Sequence, residues 1–563
     1  MNRDEALASL HQHPDISVLI VGAGINGIGT FRDLARNGVD VLLIDRADFC
    51  SGASAASSHM AHGGIRYLEN GEFRLVREAV QERNYMIANA PHFVRPLPTT
   101  IPIFRLFSGL FNAPLKFLGL LDRPSERGSL VIKLGLMLYD AYTGRQRTVP
   151  RHRFRNRQES LRRWSKLNPA VVHTATYYDG AILQPERLGF ELILDAEAEN
   201  AQARALNYVS LHGQDGQSIV LRDDLTGDTY NVMPRILVNA TGPWIDLTNR
   251  TVGCDTRFVG GTKGSHLVLD HGELRQAIGD HEFFFENKDG RIVLIFPLYD
   301  RVLVGTSDMA VEDPDAVRCT DEEVDYFLTM VNRVFPTIGV SRTHIVFRFS
   351  GVRPLARSRS KTIGQITRDH EIQVVDAEQT GLPFPIYALV GGKWTSWRAF
   401  SEQVTDKCLA QLGITRKAST RGIPIGGGRG YPASAEDRHR MLAHIAEKCH
   451  GSYERAEDLF ERYGTRALQV ARFAGAGVDA PMRWLAAYSR GEIEFMAVHE
   501  KVVHLDDVLL RRSMLAMLGH ATREGVREIA DVLAGVLRWD AARQEAEIAR
   551  TLQILKEKHQ VDL

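Results

Sequence analysis

A strand, a glycine turn, a helix and a second strand lie consecutively near the start of the chain, and this unit constrains the fold more than any other feature. Val18–Val21 is a short β-branched, apolar run. Gly22, Gly24 and Gly27 follow in the spacing GxGxxG, inside the hexapeptide GAGING. The first glycine permits a tight turn, the second lets backbone approach a pyrophosphate, and the third lets the helix pack close to the strand. A pyrophosphate there sits on free N–H groups at a helix N-terminus, where the helix dipole favours an anion. The second strand, Val41–Ile44, ends in Asp45, near the ~20-residue offset at which a carboxylate accepts ribose hydroxyls. The unit predicts a dinucleotide site.

The next segment narrows the choice of dinucleotide. Residues 51–64 read SGASAASSHMAHGG, almost entirely small side chains, closing on His62, Gly63, Gly64, Arg66 and Tyr67. Small residues let backbone and hydroxyls lie against a bulky ligand, and this stretch reads as the wall of a flavin site. FAD is bound by such an N-terminal unit in many two-domain oxidoreductases, with the flavin carrying the redox chemistry.

These residues also carry a family resemblance. GAGING (22–27), SSHMAHGGIRYLE (57–69), EFRLVREA (72–79), LVNATGPW (237–244), KGSH (263–266), GTSD (305–308), SGVRPL (350–355), ITRD (366–369) and GGKWTS (391–396) come in the order found in the FAD-dependent glycerol-3-phosphate dehydrogenases. Those enzymes are a branch of the D-amino-acid-oxidase-like flavoproteins, and the chain resembles them over nearly everything before its C-terminal region. It departs at His59, where the family often has lysine, at the tryptophans of GGKWTSWR, and at residues 106–128, a divergent stretch.

The resemblance implies an FAD-binding Rossmann-like α/β domain with an α+β substrate domain on an antiparallel sheet, followed by an all-α C-terminal domain. At 563 residues the chain is too long for one core. The FAD-dependent oxidoreductase region is expected over 16–422. Its FAD-binding domain would be discontinuous, at about 16–105, 165–260 and 350–412, with the substrate domain at about 106–164 and 261–349. IPIGGGRGYPAS around 423–434 reads as a linker, and 435–563 as the helical domain. The alternation of HLVLD, RIVLIFPLYDRVLVGTSD and THIVFRFSGV supports the antiparallel sheet.

Oxidising a secondary alcohol on a flavin needs a base for the hydroxyl proton, C2 placed over flavin N5, and a hold on the rest of the substrate. His62 is the candidate base, its imidazole suited to proton transfer near neutrality, and His266 is its rival. Arginine binds phosphate oxygens bidentately, so Arg66, Arg353, Arg368 and Lys393 compose a candidate basic pocket. By resemblance Arg353 lies near the reacting hydroxyl and Arg368 nearer the phosphate. Lys393 touches flavin or substrate, and Tyr67 either bonds the phosphate or packs. Non-covalent FAD is expected on Gly22, Gly24, Ile25, Asn26, Gly27, Asp45, Arg46, Ser54, Ser58, His59, Ala61, His62, Gly63, Gly64, Ala240, Gly242, Gly392, Lys393, Trp394 and Thr395. Arg151–Arg157 and the pair Arg162 and Arg163 lack cofactor context and are expected in surface ion pairs.

Composition excludes some classes. Formal net charge is zero, against nucleic acid as a main partner. The five cysteines form no CxxC and no metal spacing, so no metal is expected and a reducing compartment is. Cys50 is either reactive or a small buried residue. The N-terminus lacks an apolar core for a signal peptide, and no apolar run is long enough to span a bilayer. The apolar segment Ile101–Leu121 is either an interfacial patch or a helix over the substrate domain. The resemblance favours the first, with the protein peripheral on the cytoplasmic face of a bacterial inner membrane. It implies oxidation of glycerol 3-phosphate with a membrane quinone as acceptor, and leaves a homodimer open. The alternatives are an oxygen-using oxidase, a dehydrogenase of another polyol phosphate such as erythritol phosphate, and a flavin-binding regulatory protein without turnover.

Overall fold

The computed structural model describes residues 3–64, 72–105, 129–142, 148–286, 292–357, 369–477 and 479–563. Two sheets organise these residues. The first runs, in order, Glu371–Val375, Ile386–Val390, Thr229–Asn239, Asp15–Val21, Val41–Asp45, Ala203–Asn207. Every neighbouring pair along it is parallel except Glu371–Val375 with Ile386–Val390. The central strand, Asp15–Val21, buries Val18, Leu19 and Ile20 completely, as expected of a parallel strand covered on both faces. Helices Ile25–Arg36, Pro185–Glu199 and Trp397–Leu412 cover one face, through Ile28, Phe31, Leu188, Ile193, Phe400 and Val404. The N-terminal helix Arg3–Gln12, unmarked in the sequence by strong periodicity, buries Ala6, Leu7 and Leu10 with the other face's core.

The second sheet has ten strands and is antiparallel apart from one parallel join, between Val94–Ile103 and Glu282–Glu286. It takes in Val94–Ile103 and His173–Ile182, both placed in the nucleotide fold by the segment boundaries above. Strand pattern reports which faces are buried, not which sheet supplies the partner, so these two strands were open to either assignment. Ile101–Ile103 are laddered to His173, Thr174 and Ala175, and the burial of Pro102 and Ile103 takes those two out of any membrane patch.

The C-terminal region is helical, and its core is continuous with one face of the second sheet: Leu442, Phe460, Leu505 and Leu515 share a cluster with Phe296, Phe347 and Phe349. Residues 425–428, the middle of the segment expected as a linker, are buried. A Cβ on Gly427 would lie 1.9 Å from the Tyr463 carbonyl oxygen, and one on Gly428 2.3 Å from that of Asn89. Those glycines are there for close backbone packing, not slack.

Candidate active site

Four separated segments meet at the carboxyl end of the first sheet. Gly22 has φ +102°, and a Cβ on it would lie 2.7 Å from the Ala240 backbone; one on Gly27 would lie 2.0 Å from the Gly22 carbonyl oxygen. The turn between Asp15–Val21 and helix Ile25–Arg36 is therefore closed to side chains. Ser54 Oγ accepts the Ile25 N–H at 2.9 Å, bringing the small-residue wall onto the helix start. Asp45 accepts the Ala23 N–H at 2.7 Å and the Ala47 N–H at 3.0 Å. Desolvation pushes its carboxyl up to about 6, against those two bonds.

The GGKWTS segment closes the opposite side. The Trp394 indole N–H donates to the Ser54 carbonyl at 2.9 Å, which gives this tryptophan a polar anchor. Asn26 donates to the Gly391 carbonyl at 3.2 Å, and its buried Oδ1 has no hydrogen-bond partner among the described residues. The His62 N–H donates to Thr395 Oγ1 at 3.0 Å. Gly63 is fixed through Asp179, which accepts the Gly63 N–H at 3.0 Å and the Tyr139 hydroxyl at 2.5 Å, with Arg83 3.4 Å away. A glycine-lined turn and a helix N-terminus fit the pyrophosphate of a dinucleotide, and the unsatisfied Asn26 oxygen fits one of its hydroxyl or N–H donors.

The face of the second sheet next to this wall is paved with glycine. A Cβ on Gly264 would lie 2.2 Å from the Arg353 guanidinium, one on Gly305 2.2 Å from the His266 ring, and one on Gly351 2.4 Å from Ala56 Cβ. Arg353 thus lies flat across the strand, donating to Thr306 Oγ1 at 2.8 Å, with Asp308 at 3.3 Å. His266 stacks on Phe349 with centroids 4.8 Å apart, and its Nε2 lies 2.8 Å from Ser58 Oγ. Burial first, and then the Arg353 charge, hold this imidazole well below the usual histidine range. His266 is accordingly a neutral ring at neutral pH, with a buried Nδ1.

A model of the FAD dependent oxidoreductase family matches residues 17–382. The chain belongs to the FAD-dependent oxidoreductases. A model of the C-terminal domain of alpha-glycerophosphate oxidase matches residues 418–544. The glycerol-3-phosphate dehydrogenase of Synechocystis is 32% identical over 530 residues, covering 90% of each chain. The aerobic glycerol-3-phosphate dehydrogenase of Escherichia coli is 28% identical, covering 93% of this chain and 96% of its own. A solved glycerol-3-phosphate dehydrogenase from Bacillus halodurans, complexed with FAD, superposes with TM-score 0.74 at 21% identity, covering 98% of this chain and 97% of that one, a likeness of fold. The chain is thus a member of the glycerol-3-phosphate dehydrogenase branch of this FAD-dependent family, and its cofactor is FAD.

Within this flavoprotein, Gly22, Gly24, Ile25, Asn26, Gly27, Ser54, Ala240, Gly392, Trp394 and Thr395 converge on one cradle. Ala61, Gly63 and Gly64 continue the wall, Ala61 pairing with Gly180, and Gly242 turns the chain just past Ala240 at φ +60°. Two residues expected at the cofactor are otherwise engaged. Arg46 pairs with Asp315 at 2.6 Å and lies 4.8 Å over the Trp244 ring, at the surface. His59 is buried at φ +55°, its Nδ1 3.0 Å from the Ile182 carbonyl, and burial pushes it down to about 4. A lysine there would carry a charge that this ring does not.

Burial raises the Glu78 carboxyl and lowers His370, and the Lys393 ammonium adds a smaller downward pull on each, which sets Lys393 on the helix Phe73–Asn89 side of the site. Arg66, Tyr67, Arg368 and residues 106–121 of the apolar segment lie outside the described residues. The cluster Arg151–Arg157 and the pair Arg162 and Arg163 were expected in surface ion pairs. Among them, Arg157 donates to the Pro169 carbonyl, and Arg155 and Arg163 lie 5.4 and 5.9 Å from the Trp164 ring. Three residues absent from the expected set support the wall: Asp179, Tyr139 and Arg83. Thr306 and Asp308 fall inside GTSD, so that motif held a signal for them. Lys263 of KGSH is structural, its ammonium 2.8 Å from buried Glu323, which also accepts from Ser265 and Ser307.

Proposed function

We propose that this protein oxidises the C2 hydroxyl of sn-glycerol 3-phosphate to dihydroxyacetone phosphate and passes the electrons to a membrane quinone. The observation that carries the reading is Arg353 laid over Gly264 beside a neutral His266, on a glycine floor adjoining the flavin wall. Bound FAD supplies the acceptor for the hydride leaving C2. The Arg353 guanidinium, a permanent cation, stabilises oxyanion character on the substrate hydroxyl. A neutral imidazole takes the hydroxyl proton. His62 and His266 are the two candidates, and of the two His266 is the one whose ring feels the Arg353 charge. We assign Arg66, Arg368 and Tyr67 to the substrate phosphate on the family resemblance, and Lys393 to the basic pocket. The names of the relatives support the substrate.

The quinone reading places the protein on the cytoplasmic face of a bacterial inner membrane. Among the described residues no helix is long and apolar enough to cross a bilayer. Helix Ser129–Tyr142, which follows the divergent stretch, exposes Leu134 (61%), Met137 (55%) and Leu138 (42%), an apolar face suited to lying on one.

Anaerobic mixing with glycerol 3-phosphate tests the assignment, with flavin bleaching as the readout. Full bleaching by glycerol 3-phosphate, and little by glycerol at equal concentration, is expected. Equal bleaching by glycerol refutes the phosphate pocket, and faster bleaching by a longer polyol phosphate reassigns the substrate. Reoxidation by a quinone analogue but slowly by oxygen is expected; fast reoxidation by oxygen makes the protein an oxidase.

A further inference from the structure

Asp48 is a fully buried carboxylate three residues beyond Asp45, and the C-terminal region supplies its cations. Arg511 Nε reaches Asp48 Oδ2 at 2.6 Å; Arg512 reaches Oδ2 at 2.7 Å and Oδ1 at 3.0 Å. Asn207 donates to Oδ1 at 2.9 Å. Arg512 is itself held from two sides. Its Nε donates to the Glu500 carbonyl, and its own carbonyl accepts from Arg187, which forms a bidentate pair with Glu500 at 2.8 and 2.9 Å.

The loop that Asp48 anchors is the back wall of the glycine turn. Two residues on, Cys50 takes φ +58° and donates its N–H to the Ala23 carbonyl at 2.9 Å. On the other side, Asp45 accepts the Ala23 and Ala47 N–H groups. Residue 23, in the middle of GAGING, is therefore gripped on both its N–H and its carbonyl by the loop carrying Asp48. Burying an ion pair is costly unless both partners remain; removing one leaves a desolvated charge that the chain must expose or neutralise. Moving the loop off Ala23 is one way to expose Asp48.

We propose that Arg511 and Arg512 are cofactor-positioning residues: by clamping Asp48 they hold the 45–50 loop against the glycine turn, so that docking of the C-terminal helices and affinity for FAD are coupled. Neither arginine touches the glycines; they act through Asp48. Coupling of this kind is reciprocal, so FAD must stabilise the docked C-terminal segment as much as that segment tightens FAD.

The test is FAD affinity of the full-length apoprotein, read from quenching of flavin fluorescence on reconstitution. Arg511→Gln and Arg512→Gln should each raise the Kd at least tenfold, and Arg512→Lys should recover part of the loss. Lys501→Gln breaks another ion pair between the C-terminal region and helix Pro185–Glu199, to Glu197 at 2.9 Å, without touching the 45–50 loop. It should change Kd less than twofold. A Kd within twofold of wild type in both arginine variants overturns the proposal, and so does an equal loss in Lys501→Gln, which would mark a general effect of undocking. Should the arginine variants fail to fold, the wild-type protein decides alone. Amide exchange across 500–515 should slow at least tenfold on adding FAD to the apoprotein, and unchanged exchange there refutes the coupling.

Discussion

The hydroxyl of Ser58 lies 2.8 Å from Nε2 of His266, and this contact joins the flavin wall to the substrate-side sheet. Ser58 belongs to the small-residue segment and His266 to the strand Thr262–Leu269, 208 residues later. The pair fixes the ring plane beside Arg353 while burial keeps the ring uncharged. Ser58→Ala should keep its FAD and lose about 2- to 13-fold in kcat, the 0.5–1.5 kcal/mol of one hydrogen bond. Unchanged kcat would show that Phe349 stacking alone orients the imidazole.

The charge on Arg353 sets a pH signature. A cation beside a histidine favours its neutral form, so removing the cation raises the pKa. If His266 is the base, the acid limb of kcat/KM in the wild type should lie below pH 6.5, and Arg353→Gln should move it upward as well as lowering the rate. An acid limb that stays put in Arg353→Gln, together with loss of turnover in His62→Asn, assigns the proton to His62.

The glycines divide into two mechanical classes. Gly264→Ala pushes on the far end of a flexible arginine, so the fold should survive while Arg353 shifts. About tenfold or greater loss in kcat/KM is expected with little change in Tm. Gly427→Ala pushes on the Tyr463 carbonyl, 1.9 Å away, where backbone must move. Overpacking of that kind costs about 1–3 kcal/mol or more, so the thermal midpoint should fall while residual activity per folded molecule persists. The reverse pattern would mean that the floor is rigid and the 423–434 segment is slack.

The cofactor half of the site was legible because its chemistry is local. Gly22, Gly24, Gly27 and Asp45 lie on one supersecondary unit whose spacing reports its geometry. Trp394 and Thr395 were legible only through resemblance, since nothing in a lone GGKWTS says which carbonyl an indole will meet. Asp179 was not legible: it sits 116 residues from the Gly63 N–H it accepts, on a strand whose partner sheet the pattern left open. Asp48 and Arg512 are 464 residues apart, and each alone reads as an ordinary surface charge. Buried ion pairs are written in tertiary contacts, so periodicity cannot reveal them.

Two buried glutamates give a stability signature with a definite sign. Burial pushes Glu186 and Glu282 each up to about 8. A carboxyl raised in the folded state stabilises the fold below its unfolded pKa, and that contribution is lost as pH rises through the folded value. Glu186→Gln and Glu282→Gln, neutral at every pH, should therefore gain stability relative to wild type as pH climbs from 5 to 8. Each pH unit of separation corresponds to about 1.4 kcal/mol at most. Parallel curves of Tm against pH for wild type and variant would show that the carboxyl concerned is ionised in the fold.

The apolar face of helix Ser129–Tyr142 provides the membrane test. Its inner side buries Ile132, Leu136 and Tyr139 against Leu75, Val76, Val80 and Tyr177. Leu134, Met137 and Leu138 stand on the outer side at i, i+3 and i+4, with exposed Lys133 beside them. An isolated exposed leucine is ordinary, but three adjacent apolar side chains on one turn lose hydration free energy only if something covers them. A lipid surface does so, and the lysine suits anionic headgroups. The wild type should therefore float with anionic liposomes. Replacing all three residues by serine should release it, leaving flavin content, Tm and dye-linked turnover near wild type because none of the three is buried. Retained flotation in the triple variant would move the contact elsewhere on the surface. A wild type that never floats would remove the membrane from the reading, and with it the main structural support for a quinone rather than a soluble acceptor.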